Sequence, residues 1–278
     1  MSGRSDWDDW LLRAVEERSV SGIDCWYLGC NGLIVKGGDG TTIFIDPYTG
    51  LGMPPRTVRM IPVPYNPEEV TIADAILTTH EHSDHVDGPS QAPILAASRA
   101  TWYGSDASIE RVRDEAWADS WAVEPDQFVE VMPGDTLAVG DLTVHVEPAH
   151  DPMADGAVSY VITDGDRTLF HGGDTRYDEN LMYDIGHRFD IDLGVVAFGT
   201  TGRIADKQTG ELRDRDWYAD GNEVIDIARA LDLGQLVPTH WDMWRGLTAN
   251  PRSLYRHAES RWFPDRLTIA EVGDRLDV

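Results

Sequence analysis

The stretch THEHSDH, residues 79–85, sets three histidines and an aspartate within six consecutive positions, directly behind the apolar run IADAILT. So short an apolar run, stopping at a cluster of ligand-type side chains, reads as a buried strand that delivers its loop to the edge of a sheet. His80 and His82 are two apart and project to one side of an extended segment. Asp84 and His85 fall on the turn after them and can face a second centre. A single ion takes three or four protein ligands, so four in one loop imply either redundancy or two metals. A merely solvated loop accounts for the set poorly, because imidazoles crowded without an ion repel one another when protonated.

The surrounding chain predicts the layers that would carry such a loop. Residues 6–18 place Trp7, Trp10, Leu11, Ala14 and Val15 at helical spacing behind Ser5. CWYLG, NGLIVKGG and TTIFIDP then give short β-rich runs broken by Gly, Asn and Asp, which predict hairpins and open a sheet near residue 24. Prolines at 54, 55, 62, 64 and 67 make residues 51–70 an irregular excursion, of the kind that overhangs a site. GPSQAP, behind the histidine cluster, reads as a further loop. A helix is expected over 105–118, then strands in DLTVHVEPA, AVSYVIT, RTLFHGG and IDLGVVAF. A second amphipathic helix covers 222–232, with Gly234 placed to end it, and QLVP leads as a strand to His240. A helix after Pro251 and a strand near LTIAEV finish the chain. Strands followed by helix thus occur twice, over about 21–135 and 136–278, which suits one domain of two sheets packed face to face with helices outside.

Charge narrows the partners. Against 49 Asp and Glu stand only 23 Lys and Arg, a formal net charge of −26. That field repels phosphate backbones and anionic lipid, so nucleic acid and membrane surfaces are not expected partners. The acids are spread along the chain, as on a protein adapted to a high-salt, halophilic cytoplasm. Cys25 and Cys30 are too far apart for a C-x-x-C pair, and the first residues carry acids rather than a long apolar core. Both features point to a reducing, cytoplasmic setting.

Six histidines lie at the ends of strands or apolar runs: His80, His82, His85, His150, His171 and His240. HEHSDH resembles the H-x-H-x-D-H signature of the metallo-β-lactamase superfamily, and the rest of that pattern comes in order: Asp46 in IFIDP, His150 in EPAH, Asp174 in HGGDT and His240 in LVPTH. The resemblance implies an α/β fold, an αββα sandwich of two mixed β-sheets, with a dinuclear metal site between the sheet edges. It implies His80, His82 and His150 on the first metal, Asp84, His85 and His240 on the second, and Asp174 bridging. Asp46 and His171 would orient ligands from behind.

Within the superfamily the chain is similar to the L-ascorbate-6-phosphate lactonase family, in CWYLGCNGLIVK, ADAILTTHEHSDHVD, LFHGGDTRY, the DK of IADKQ, and THWDMW. That similarity makes Cys30 a feature of the first hairpin rather than a redox residue, and it points to a homo-oligomer. The chain departs from the family around the DK, in Trp241, in a shorter C-terminus, and in His150, where the lactonase pattern diverges from the superfamily. The likeness implies a metal-dependent lactonase in which two cations lower the pKa of a shared bridging water toward neutrality, with Asp84 and Asp174 relaying protons. The imidazole and carboxylate ligands suit zinc, manganese or iron. The substrate is a small molecule, with a phosphorylated sugar lactone as the family's example. Arg176, Arg203 and Lys207 are the candidates to hold a phosphate, and Trp241 and Trp244 to line the pocket. A phosphodiesterase of the same superfamily, or a non-catalytic binding member, are the alternatives.

Overall fold

Alternate residues of the first strands go to opposite sides of one sheet, the period of two that a pleated strand imposes. In the computed structural model, which describes residues 3–199, 201–206, 209–263 and 266–278, the first sheet takes β1 (Asp24–Gly29), β2 (Gly32–Lys36), β3 (Thr42–Ile45), β4 (Ala75–Leu77), β5 (Thr101–Gly104) and β6 (Phe128–Glu130) in that order. β1 to β3 pair antiparallel and β3 to β6 parallel. Cys25, Tyr27, Leu33, Val35, Ile43 and Ile45 enter one core. Trp26, Leu28, Ile34 and Phe44, between them in sequence, enter another. Helices α1 (Trp10–Glu16), α2 (Gly88–Ser98), α3 (Asp106–Asp114) and α4 (Trp117–Trp121) close that second core with Leu11, Leu95, Val112 and Trp117.

The second sheet repeats the arrangement. β7 (Thr136–Val139), β8 (Leu142–Pro148), β9 (Val158–Thr163), β10 (Thr168–His171), β11 (Leu193–Ala197) and β14 (Gln235–Thr239) lie side by side, while β12 (Thr201–Ala205) and β13 (Leu212–Asp216) form a separate hairpin. Helices α5 (Glu179–Arg188), α6 (Gly221–Ala230) and α7 (Leu254–Ser260) pack Met182, Ile185, Val224, Ile227 and Leu254 onto Val161, Phe170, Val196 and Leu236. The opposite face of this sheet sends Val144, Tyr160, Leu169, Val195 and Val237 into the core that already holds Cys25 and Tyr27. The two sheets therefore face each other and the helices lie outside, an αββα sandwich. Each large side chain closed into the shared core contributes about 1.5–3 kcal/mol by leaving water. The Tyr160 hydroxyl, buried there, donates across the gap to the Thr78 carbonyl at 2.7 Å, which satisfies the one polar group it carries inward. A last strand, β15 (Arg275–Asp277), returns to pair with β1. Among the described residues no helix is long and apolar enough to cross a membrane.

Several local expectations shift. GPSQAP is not a loop but the start of α2. Asp87 accepts from the Ser90 amide at the cap, and Pro89 falls in the first turn, where its missing N–H costs nothing. The helix expected over 6–18 begins only at Trp10, because Ser5 spends its hydroxyl on the Trp7 amide and the Asp8 carbonyl in a preceding turn. The helix expected over 105–118 breaks in two at Ala116, whose φ of 52° is left-handed. Asp232, with φ 49°, turns the chain out of α6 before Gly234 is reached. The LTIAEV segment only touches the second sheet, through a Leu236–Leu267 bridge, before the chain crosses to form β15.

Candidate metal centre

The strand ends converge at one edge of the sandwich. β3 runs into Asp46, β4 into His80, β10 into Asp174 and β14 into His240, all parallel-sheet ends of the kind that gather ligands. Three non-glycine residues here take left-handed φ: Cys30 at 56°, Asp46 at 43° and His240 at 65°. Such backbones are uncommon and persist where neighbours over-determine them. Here the His240 amide donates to the Cys30 carbonyl at 2.8 Å and the Asp46 amide to the Leu77 carbonyl at 2.9 Å.

Among the described residues three groups of donor atoms result, each small enough to close on one ion: His80, His82, Asp151 and Asp174; His85, Asp174 and His240; and Cys30, Asp84 and His240. Asp174 stands between them. Its Oδ2 lies 3.8 Å from His80 Nε2 and 3.5 Å from His85 Nε2, and its Oδ1 lies 3.7 Å from His240 Nε2.

The hydrogen bonds behind these groups fix which imidazole nitrogen faces inward. Asp46 accepts from the Thr79 amide at 2.9 Å and the Thr79 hydroxyl at 2.7 Å, and His85 Nδ1 donates to it at 2.8 Å. His80 Nδ1 donates to the same Thr79 hydroxyl at 3.0 Å, and His82 Nε2 to the Met153 carbonyl at 3.0 Å. His85 Nε2, His80 Nε2 and His82 Nδ1 are thereby left as lone pairs turned into the site. His85 Nε2 is buried without a hydrogen-bond partner among the described residues. His80 Nε2 and His82 Nδ1 face each other at 2.9 Å, a separation that repels unless something positive sits between them. Adjacent nitrogens on one ion lie about 2.9–3.4 Å apart, given bonds of about 2.05 Å. The donor set therefore fits metal ions on its own geometry.

Electrostatics agree. Burial and then the charge on His85 hold the His80 pKa well below its ordinary value. Burial also acts to lower that of His85, but the Asp174 and Asp46 carboxylates beside it prevail and raise it. Burial works against ionised Asp84 and Asp174, yet the His240 hydrogen bond at Asp84 and the charges of His240 and His85 at Asp174 hold both carboxyls below the usual range. Asp151 is raised, by burial and then by Asp174. Ionised carboxylates are thus held in a dry pocket and favour positive charge at His85, which a divalent cation on Nε2 would supply in place of a proton.

Not every predicted residue arrives at the centre. His150 is exposed and lies in none of the three groups, and Asp151 lies beside His80, with Oδ2 at 3.8 Å from Nε2. The His150 amide donates to Thr175 Oγ1 at 2.9 Å and its carbonyl accepts from the Arg176 amide at 2.6 Å. That tether, two residues beyond the end of β8, fixes the backbone so that the next side chain in sequence turns inward. His171 is fully buried, takes the Gly173 amide on Nδ1 and donates from Nε2 to the Asn31 carbonyl at 2.8 Å. Asn31, which the motifs do not single out, donates to Asp174 Oδ1 at 3.2 Å and accepts from Thr239 at 2.7 Å, so it sets the orientation of the shared carboxylate.

The substrate candidates divide similarly. Trp244 donates its Nε1 hydrogen to Asp84 Oδ2 at 3.3 Å and packs edge-on against Tyr48. Trp241 joins the core beneath α6, its Nε1 buried and unpaired. Arg176 is held by both carboxylate oxygens of Glu223, at 2.6–3.1 Å. Arg203 sits on the exposed β12–β13 hairpin paired to Asp214 at 3.1 Å. Lys207 lies outside the described residues. The proline-rich excursion is stitched beside Trp244, through the Met60 amide to the Met243 carbonyl at 2.9 Å and the Arg245 amide to the Val58 carbonyl at 3.0 Å.

Comparison with known proteins accords with this geometry. Residues 41–241 match the family model described as the β-lactamase superfamily domain. A probable L-ascorbate-6-phosphate lactonase of Escherichia fergusonii is 25% identical, over 90% of this chain and 78% of that protein. Among solved structures, a metallo hydrolase from the hyperthermophilic archaeon Ignicoccus hospitalis superposes with a TM-score of 0.65 at 18% identity, covering 92% of this chain and 98% of that one. The metallo-β-lactamase fold protein YhfI from Bacillus subtilis gives 0.64 at 18% identity, over 92% and 99%. With a matched model over most of its length and a buried His/Asp metal site at the sheet edge, the chain belongs to the metallo-β-lactamase superfamily as a metal-dependent hydrolase.

Proposed function

We propose that the protein hydrolyses a small ester, most specifically a lactone, at a dinuclear centre. The observation that carries this reading is the inward-turned set of nitrogens on His80, His82 and His85 around the shared Asp174, which cations on both sides of that carboxylate would satisfy. His80, His82 and Asp151 with Asp174 would hold one ion, and His85, Asp84 and His240 with Asp174 the other. Bound ions of this kind supply an acidified water and polarise a carbonyl oxygen.

The chain's own groups do the rest. Asp46 and the Thr79 hydroxyl keep the imidazoles from rotating, and Asn31 keeps Asp174 centred. Asp84, with a side chain 16% exposed against 7% for Asp174, is the carboxylate that would take the proton released by the acidified water and pass it to the departing ring alcohol. Trp244 holds Asp84 in place and presents an apolar wall to the ring.

A lactone is favoured over a phosphodiester because the net charge is −26 and the two described arginines singled out for phosphate are paired to Glu223 and Asp214. The 25% identity to a probable ascorbate-phosphate lactonase supports the same bond type. Those ion pairs also speak against a phosphate handle on the substrate itself. The test is a screen of sugar lactones, their phosphate esters and phosphodiesters against protein loaded with zinc, manganese or iron. Lactone turnover that disappears with chelator is the expected result. Turnover of phosphodiesters alone would replace this reading with the other.

A further inference from the structure

We propose that Cys30 is a ligand of the second metal, donating a thiolate alongside Asp84 and His240. The inference rests on the dinuclear reading above and deepens it.

Three donors converge at this point. Cys30 Sγ lies 3.3 Å from His240 Nε2 and 3.7 Å from Asp84 Oδ2, and His240 Nε2 lies 3.4 Å from Asp84 Oδ2. With bonds of about 2.3 Å to sulfur and 2.0–2.2 Å to nitrogen and oxygen, neighbouring ligands on a four- or five-coordinate ion stand about 2.9–3.8 Å apart. The triangle thus has the edges of a coordination face. Cys30 is fully buried. An independent pointer comes from the other side. His85 Nε2, in a fully buried side chain and without a partner, closes on the same His240 and on Asp174.

The sulfur is placed by main chain rather than by chance packing. The hairpin between β1 and β2 turns at Cys30 with a left-handed φ of 56°, and the Cys30 carbonyl takes the His240 amide. Thiol and imidazole are thereby presented side by side across the two sheets. Tyr48, Met243, Trp244 and Leu247 close an apolar shell about the sulfur, which keeps water from competing for the ion. The other cysteine lies apart from these donors: Cys25 is in the core between the sheets.

A thiolate changes what the site selects. Sulfur favours zinc or iron, whereas oxygen and nitrogen ligands alone leave manganese competitive. The two sites are therefore unequal: His80, His82, Asp151 and Asp174 form an oxygen and nitrogen site, and the Cys30 site is the softer one. When the ion enters, the Cys30 S–H bond breaks, the proton passes to solvent and the sulfur lone pair forms the bond to the metal.

The experiment uses the full chain reconstituted with cobalt(II), with bound metal counted and the near-ultraviolet spectrum recorded. Two cobalt equivalents with a sulfur-to-cobalt charge-transfer band are expected for the wild type. Both Cys30→Ser and Cys30→Ala should lose that band entirely while keeping the first equivalent, and their affinity for the second should fall at least about tenfold. Zinc-edge X-ray absorption of the unmutated protein should show one sulfur at about 2.3 Å, a measurement that does not depend on either variant folding. Two equivalents with no band and no sulfur scatterer would overturn Cys30 ligation and leave the dinuclear centre standing. A band that survives in the folded variants would overturn it too. Failure to bind cobalt or zinc at all would overturn both the ligation and the proposed hydrolytic centre.

Discussion

The floor of the centre and its rim are built by different means. On the floor, Asp46, Thr79, His80, His85, Asn31 and Asp174 are buried, and each polar atom is fixed by a short chain of bonds that ends in an inward lone pair. At the rim, Arg203 on the β12–β13 hairpin meets Asp214 in water, both side chains more than 60% exposed. Buried networks of this kind are worth more than their pairs and hold one geometry, whereas exposed ion pairs contribute little and exchange freely. The floor therefore determines the chemistry, and the rim is where substrate preference can change without disturbing it.

Substitutions at different depths test that division. Asp84→Ala removes the carboxylate just above the floor that both His240 and Trp244 address. Lactone hydrolysis should fall by about 10³-fold, roughly 4 kcal/mol on the barrier, with the circular dichroism spectrum unchanged. Undiminished turnover would break the comparison at its strongest point. Asp46→Asn acts one layer deeper, by releasing His85 Nδ1. Metal affinity read by chelator competition should drop about 10–100-fold, while turnover at saturating metal changes less.

Asp24 provides a control among ion pairs away from the centre, bonded to Arg18 at 2.8 Å and Arg275 at 2.9 Å. Burial opposes its ionisation, but the two guanidinium groups outweigh it and hold the carboxyl below the usual range. Its contribution is therefore complete above the unfolded value, about 3.9, and is lost as pH falls through the lower folded value. Asp24→Ala should cost about 1.5 kcal/mol at pH 7, because both arginines can rehydrate. In urea melts that difference should close only in strong acid. Arg203→Ala, at the rim, should shift stability by less than about 0.5 kcal/mol. A large change in lactone KM there would promote the hairpin from rim to binding surface.

Legibility in the sequence divides along the same line. His80, His82, Asp84 and His85 crowd behind one apolar run, the resemblance to the superfamily pattern adds Asp174 and His240, and the structure brings all six to one edge. The choice between His150 and Asp151 could not be read that way. It depends on how the chain is tethered to Thr175 and Arg176 after β8, a contact 25 residues distant. Asn31 and Cys30 escaped for a stronger reason: their roles exist only once β14 has docked beside the first hairpin. The pairing of Arg176 with Glu223 likewise joins residues 47 apart, so a sequence shows two ordinary charges where the fold has one occupied bond. In α2, two prolines suggested a loop, and the cap at Asp87 overrode them.

The residues proposed to hold metal come from both sheets: His80, His82, Asp84 and His85 lie beyond a strand of the first, and Asp151, Asp174 and His240 beyond strands of the second. An ion held among them spans the seam of the sandwich, so separating the sheets requires letting it go. The metal then acts as a rivet whose grip scales as RT ln(1 + [M]/Kd). Where the ion is scarce, the halves of this acidic protein would come apart first along the plane in which it works.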